Sequence, residues 1–296
     1  MNRGIWFGIG AYACWGLFPL YWKLLAHVPA LQLLGHRIIW SCIILLGVVM
    51  LTRQWQAFQQ LAVSPRVLRI YAVAAILIAA NWLMYVWAVN AGYIVETSLG
   101  YFINPLFSVL MGVLFFRERL RLWQWGAIGL AATGVLYLTL VYGSLPWIAL
   151  SLAFTFGTYG LVKKLAPLNS LYGLTLETSL LFLPALALLG FSEIAGNGAF
   201  LHSGIASDAL LIAGGLVTTV PLLLFASAAR RIPLSMVGVL QYIAPTLQLL
   251  IGVLVFREPF SQNQFIGFGI VWTALVIFGL EGFLNHRMQP IPVVVE

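Results

Sequence analysis

Ten stretches of predominantly apolar residues run along the chain, at 4–25, 31–52, 68–91, 95–116, 122–142, 145–163, 173–192, 208–229, 234–256 and 262–284. A bilayer hydrocarbon core of about 30 Å is crossed by about 20 residues of α-helix. The pattern therefore predicts an all-α integral membrane protein with ten transmembrane helices. Polar residues gather between the stretches, and most connections are short. The longer ones are 53–69 and 193–208, and the second carries Gly196, Asn197, Gly198, His202 and Ser203, which is loop chemistry. No interval has room for a soluble domain of about 50 residues or more. The tail, 285–296, contains Pro290 and Pro292 and is expected to fray.

The charges orient this arrangement. With the N-terminus inside, the inner side receives Arg3, Arg53, Arg66, Arg69, Arg117, Arg119, Arg121, Lys163, Lys164, Arg230, Arg231 and Arg287. The outer half keeps Lys23, Arg37 and Arg257, and Glu96, Glu193, Asp208 and Glu258 fall at or near the outer edge. Cytoplasmic loops carry the excess of Lys and Arg, so both termini are expected in the cytoplasm. Composition agrees: 62% of residues are hydrophobic and 8% charged, against about 25% charged in soluble domains. That excludes an ordinary soluble enzyme, a disordered protein and a nucleic-acid-binding domain as defaults. In this setting the net charge of +7 reads as inner loops rather than as an acidic partner. The first stretch lacks a small-x-small cleavage site, so no cleavable signal peptide is expected. Cys14 and Cys42 lie inside apolar runs and imply no disulfide framework.

A shift of 140 residues superposes the chain on itself. Ala13, Lys23, Leu25 and Ala26 fall on Ala153, Lys163, Leu165 and Ala166. The run from Phe102 to Pro105 falls on Tyr242 to Pro245, and Gly112 to Glu118 falls on Gly252 to Glu258. Gln124, Gly129 and Thr133 fall on Gln264, Gly269 and Thr273. Chance explains Leu and Val matches in apolar sequence, but not Lys, Pro, Gly and Arg-Glu matches in one register. Each half then holds five spans, an odd number, so the second half enters the membrane inverted. The expected division is 1–142, 143–284 and a short cytoplasmic tail at 285–296. Inverted repeats are a mark of secondary transporters; a duplicated scaffold without transport is the alternative.

Further residues carry a family resemblance. They are Ala13-Cys14-Trp15-Gly16 with Lys23, His36 to Ser41, Asn81-Trp82 with Trp87 to Asn90, and Glu96 to Pro105. The second half adds Gly143 to Pro146, Tyr159 to Lys164, Glu177-Thr178, Thr218 to Pro221 and Gln241 to Thr246. At these positions the sequence resembles the drug/metabolite transporter superfamily, its EamA-type carriers with two five-helix halves, and within them the RarD ("chloramphenicol-sensitive protein") subgroup. Both halves are covered. The resemblance implies an inner-membrane carrier that exports small metabolites or drugs, in a subgroup whose substrate is poorly defined.

Ionisable residues inside spans are functional candidates by default, because the bilayer penalises unpaired charge. Lys23, Arg37 and Glu96 lie toward the outer side; Lys163, Lys164 and Glu177 lie toward the inner side. Each set is read as a gate or proton relay, with Glu96 pairing Arg37 or Lys23 and Glu177 pairing Lys163 or Lys164. The alternative is that Lys23 and Lys164 only snorkel to headgroups. A substrate site near the midplane is expected from Trp15, Asn81, Tyr85, Tyr101, Asn104, Tyr159, Thr218, Thr219 and Gln241. Amides both donate and accept, and aromatic walls suit flat or apolar groups. Interhelical hydrogen bonding is the bland reading of the same amides. Pro105 and Pro245, equivalent in the repeat, are hinge candidates, with static kinks as the alternative. Trp6, Trp22, Trp55, Trp123 and Trp125 are expected as interface anchors. Gly8, Gly16, Gly112, Gly126 and Gly252 would allow close helix contact.

The four histidines are scattered without metal-ligand spacing, and no P-loop pattern occurs. No metal, cofactor or nucleic acid is expected, and no enzymatic activity. The expected partners are a small-molecule solute and the lipid bilayer, with protons as candidate coupling ions through Glu96 or Glu177. The sequence thus reads as an alternating-access exporter of the bacterial inner membrane. A downhill facilitator, a membrane enzyme and a non-transporting sensor or assembly subunit are the competing readings.

Overall fold

A computed structural model describes residues 3–62, 64–90, 94–143, 147–257 and 261–288, with side chains throughout except at 89, 90, 94–99, 142, 249, 264 and 282–288. The described residues contain helices and no strand. In chain order they are α1 (Arg3–Leu24), α2 (Ala30–Leu51), α3 (Trp55–Ala62), α4 (Pro65–Asn90), α5 (Ile94–Phe116) and α6 (Leu122–Tyr142). There follow α7 (Trp147–Leu165), α8 (Ser170–Ile194), α9 (Ile205–Ala229), α10 (Leu234–Gln241), α11 (Ile243–Leu254) and α12 (Gln262–Met288).

Every apolar stretch holds helix, with two departures from the expected pattern. The stretch at 234–256 is broken at Tyr242 into α10 and α11. The connection at 53–69 contains the short α3, which buries Phe58 and Ala62. Three glutamines in eight residues hid this element from a search for long apolar runs. Local chemistry sets the ends. The Asn169 side chain accepts the Tyr172 N–H at 2.8 Å and caps α8, and Gly143, at φ 81°, closes α6 in the left-handed conformation.

Six described segments are long and apolar enough to cross a membrane: those of α2, α4, α6, α8, α9 and Leu234–Leu254. Gly100–Phe116 and Phe265–Glu281 are shorter apolar helices. The chain is a multi-pass membrane protein. Helices α1 and α7 are not among these segments, although both coincide with expected spans. Their neighbours account for the lower hydropathy: α1 contacts α9, α10 and α11, and α7 contacts α4, α5 and α9. A helix faced by other helices can carry glycine, tyrosine and lysine that lipid would penalise.

The main pairings are α1 with α9 and α11, α2 with α8 and α9, α4 with α7 and α8, α5 with α7 and α10, and α6 with α12. Each is matched by the pairing of the counterparts 140 residues along. For example, α1 with α9 answers to α7 with α4, and α1 with α11 answers to α7 with α5. Close approach depends on glycine at a few crossings. A Cβ on Gly215 would meet the Trp40 carbonyl carbon at 2.6 Å, and one on Gly238 would meet the Pro105 carbonyl oxygen at 2.6 Å. Gly126 does not join them: nothing lies within 4 Å of its Cβ position, and it is exposed on α6.

Candidate functional site

A cavity of about 300 Å³ lies between α1, α2, α4, α5, α7, α9 and the α10–α11 break. Helical spacing builds it. Tyr12, Trp15, Phe18, Pro19 and Trp22 form one face of α1, and Asn81, Trp82 and Tyr85 face them from α4. Helix α5 contributes Gly100, Tyr101 and Asn104, and the broken ninth stretch contributes Gln241, Ala244 and Gln248. The volume falls at the lower end of ligand pockets, about 300–1,000 Å³, and the aromatic lining with few polar groups matches their chemistry.

The amides divide into committed and uncommitted groups. Asn81 Nδ2 donates to the Leu152 carbonyl at 3.0 Å and to Thr155 Oγ1 at 2.8 Å. Gln241 Nε2 donates to Ser108 Oγ at 2.9 Å, and Gln248 Nε2 donates to the Trp15 carbonyl at 3.0 Å. Asn104 Oδ1 is buried without a hydrogen-bond partner among the described residues, and the Tyr12 hydroxyl and the Gln241 side chain face one another. Buried polar atoms rarely stay unpartnered, so Asn104 Oδ1 is poised for a ligand or water.

Six of the nine expected substrate-site residues line the cavity: Trp15, Asn81, Tyr85, Tyr101, Asn104 and Gln241. Tyr159, Thr218 and Thr219 do not. Tyr159 points instead to Glu177, and Thr218 Oγ1 accepts from Arg37 Nε at 2.9 Å. Thr219 is buried, and its hydroxyl has no hydrogen-bond partner among the described residues. Composition alone could not sort the inward polar groups of one helix face from those of the next. Tyr12, Phe18, Trp82, Phe156 and Gln248 also line the cavity, beyond the residues expected from the sequence. Trp22, expected as an interface anchor, is a cavity wall.

Arg37 also lines this cavity. Its guanidinium carbon lies 4.9 Å from the Trp22 ring and 4.9 Å from the Trp82 ring. Among the described residues it makes no ion pair with a carboxylate. The expected partner Glu96 has its side chain outside the described residues. Lys23, the other expected outer cation, is exposed, with Nζ 5.5 Å from the Phe256 ring centroid.

Toward the face at which α1 begins, the cavity is closed by aromatic rings. Trp15 meets Phe156 and Phe225 at centroid distances of 5.9 and 5.7 Å, and Tyr159 stacks on Phe225 at 6.0 Å. Below them Lys163 Nζ donates to Glu177 Oε1 at 2.7 Å, and the Tyr159 hydroxyl donates to Oε2 at 3.0 Å. Lys163 and Glu177 are 2% and 1% exposed, so this is a buried pair whose lone pairs are shared with a phenol. It pairs the end of α7 with the start of α8.

Lys164 is not a second partner of Glu177. Its Nζ donates to the Ile232 carbonyl at 2.7 Å and stands 3.9 Å from Glu118 Oε1. Glu118 explains this placement. Pro233 starts α10 and offers no side-chain cap. The Glu118 carboxylate, from the loop after α5, accepts the Leu234 N–H at 2.7 Å and the Ser235 N–H at 3.0 Å. A negative group at a helix N-terminus satisfies free donors and meets the helix dipole. Glu118→Ala is therefore expected to cost about 1–2 kcal/mol, with Glu118→Gln intermediate, as read by thermal unfolding of the purified protein. Equal melting of all three would refute the cap. Arg121, one of the inner-side arginines, reaches Glu281 of α12 at 3.0 Å.

The two hinge candidates differ. Helix α5 runs unbroken through Pro105, whereas Pro245 follows the break at Tyr242 by three residues. The Tyr242 hydroxyl donates at 3.2 Å to the carbonyl of Phe102, its own counterpart in the repeat. The elements carrying the two prolines thus meet beside the cavity.

Known proteins resemble this chain over nearly its whole length. The model of the EamA-like transporter family matches residues 2–140 and again 145–280. The protein RarD of Streptomyces exfoliatus is 46% identical over 286 residues, covering 97% of this chain and 91% of that protein. An uncharacterized transporter of Bacillus subtilis strain 168, YojE, is 48% identical over 282 residues, covering 94% and 93%. RarD of Escherichia coli strain K12 is 41% identical over 289 residues, covering 97% of each. A crystal structure of another protein superposes with a TM-score of 0.69 at 18% identity, covering 95% of this chain and 98% of that one. At that identity the likeness is one of fold alone.

Proposed function

The chain belongs to the EamA-like transporter family and is a membrane transporter, and on that premise we propose that it is a secondary exporter of small organic metabolites or drugs in the bacterial inner membrane. It works by alternating access between two inverted five-helix halves, 1–142 and 143–284, with both termini in the cytoplasm. The cavity between the halves carries this reading. Its walls come from α1, α2, α4 and α5 of the first half and from α7, α9 and the α10–α11 break of the second. Solute sites of inverted-repeat carriers lie at such a repeat interface.

The conformation described is one end state of that cycle. Lining residues run from Tyr12 in the middle of α1 to Trp22 near its end. Aromatic rings and the Lys163–Glu177 pair fill the opposite side. With the N-terminus inside, the solute site in this state belongs to the outer half of the protein. Release of the Lys163–Glu177–Tyr159 contacts and of the Glu118 cap on α10 would open the inner path. Glu177 is the carboxylate best placed to take up a proton in that step.

Solute flux in proteoliposomes of the purified chain tests the proposal. The panel holds amino acids, nucleobase-like compounds, short organic acids and chloramphenicol, with and without a pH gradient. Saturable flux of one class is expected, accelerated by the gradient. Flux that ignores the gradient identifies a downhill facilitator. Correctly inserted protein that moves no member of the panel would overturn the reading.

A further inference from the structure

We infer that the solute is a small organic monoanion, held by its carboxylate at Arg37 with its aromatic or apolar body against the tryptophans of the cavity. This rests on the transport reading of the same cavity and goes beyond it in naming the substrate class.

Arg37 lies seven residues into α2, about 10 Å along the helix, where a permanent charge is costly unless it serves a purpose. Its described surroundings orient the charge and include no carboxylate paired with it. The Nε donor is committed to Thr218 Oγ1 at 2.9 Å. The Trp22 and Trp82 rings, each 4.9 Å away, fix the guanidinium by cation–π contact. The phenols of Tyr21, Tyr85 and Tyr101 are its electrostatic neighbours. A guanidinium has five N–H donors in a planar fork, and the terminal pair suits a carboxylate bidentately.

The rest of the lining sets the charge and the shape. Among the described lining residues, Arg37 is the one with a formal charge. One cation balances one negative charge, so a phosphate monoester, carrying about −1.5 to −2 at neutral pH, would leave excess charge buried. Elsewhere in the cavity, Asn104 Oδ1 is an acceptor without a partner among the described residues, and it would receive an N–H or O–H group of the solute. Trp15, Phe18 and Phe156 supply apolar wall between. The 300 Å³ volume admits one ring with short substituents rather than a large drug.

Trp22 and Trp82 also supply a readout. The full chain in lipid nanodiscs is titrated with phenylacetate, phenylacetamide and benzyl phosphate, followed by tryptophan fluorescence. Phenylacetate is expected to bind about tenfold or more tightly than either of the others. Arg37→Gln should weaken phenylacetate at least tenfold and erase its preference over the amide. Arg37→Lys should fall between, because it keeps the charge and loses the fork. The assignment is overturned by absent phenylacetate binding, by equal binding of acid and amide, by discrimination that survives Arg37→Gln, or by phenylacetate binding that appears only in Glu96→Gln. Counterflow of phenylacetate in proteoliposomes separates the two levels of the argument. Binding without counterflow supports the site and defeats transport; flux of neutral solutes without preference for the acid supports transport and defeats the site.

Discussion

The Lys163→Met protein is expected to lose about 3–5 kcal/mol of stability, the cost of leaving one member of a buried ion pair alone. Glu177 is 1% exposed, and without Lys163 its carboxylate keeps the Tyr159 hydroxyl as its described donor. Glu177→Gln should cost less. Its amide oxygen still accepts from the ammonium, which also lies 5.5 Å from the Tyr71 ring and 5.8 Å from the Tyr159 ring. The double variant Lys163→Met, Glu177→Leu removes both charges. It should recover most of the loss, because apolar replacements of buried pairs are often neutral or better. It still forfeits the Tyr159 hydrogen bond, about 1 kcal/mol. Thermal unfolding of the four proteins in one detergent measures these differences. Flux adds the functional half: a double variant that is stable but fails to transport assigns the pair to the cycle. One that is stable and transports normally makes the pair structural and refutes the gate.

Gly238→Ala should be among the most damaging single methyls at the described helix crossings. The added carbon would sit 2.6 Å from the Pro105 carbonyl oxygen and 3.1 Å from Val109 Cγ2. Backbone cannot rotate away as a side chain does, so α5 and α10 must separate. Overpacking of this kind costs about 1–3 kcal/mol. The same separation strains the Gln241 bond to Ser108 and the Tyr242 bond to the Phe102 carbonyl, both of which join these segments beside the cavity. Flux should therefore fall along with stability. Gly126→Ala is the control, since nothing lies within 4 Å of that position. There the better helix propensity of alanine should leave stability unchanged or raise it by up to about 1 kcal/mol. If both variants melt alike, close approach at Gly238 does not hold the interface.

Helix positions were legible because a bilayer forces long apolar runs, and the run lengths survive any tertiary arrangement. The repeat was legible because Lys, Pro, Gly and Arg-Glu matches are rare in apolar sequence. The break at Tyr242 was not, since no proline or glycine sits at it and Pro245 comes three residues later. Helix α3 was invisible to a search tuned to spans. The cap on α10 links residues 116 positions apart, and nothing local to Pro233 announces it.

The candidate site divides in the same way. Glu177 was expected to pair with Lys163 or Lys164, because ionisable residues within spans are few and these flank one short connection; the structure selects Lys163. Lys164, one residue on, points elsewhere by the 100° step of a helix and meets Glu118 and Ile232. Arg37 was recognised as an intramembrane charge, yet its place in the cavity wall depends on where α1 and α4 lay Trp22 and Trp82. The sequence by itself determined the membrane class, the positions of the long helices and the family. Each of these follows from what a residue must avoid in lipid, or from residues compared along one chain. Only the tertiary structure decided which polar groups share a cavity, which carboxylate meets which cation and which backbones touch. Those are relations among helix faces, fixed by packing between segments far apart in the chain.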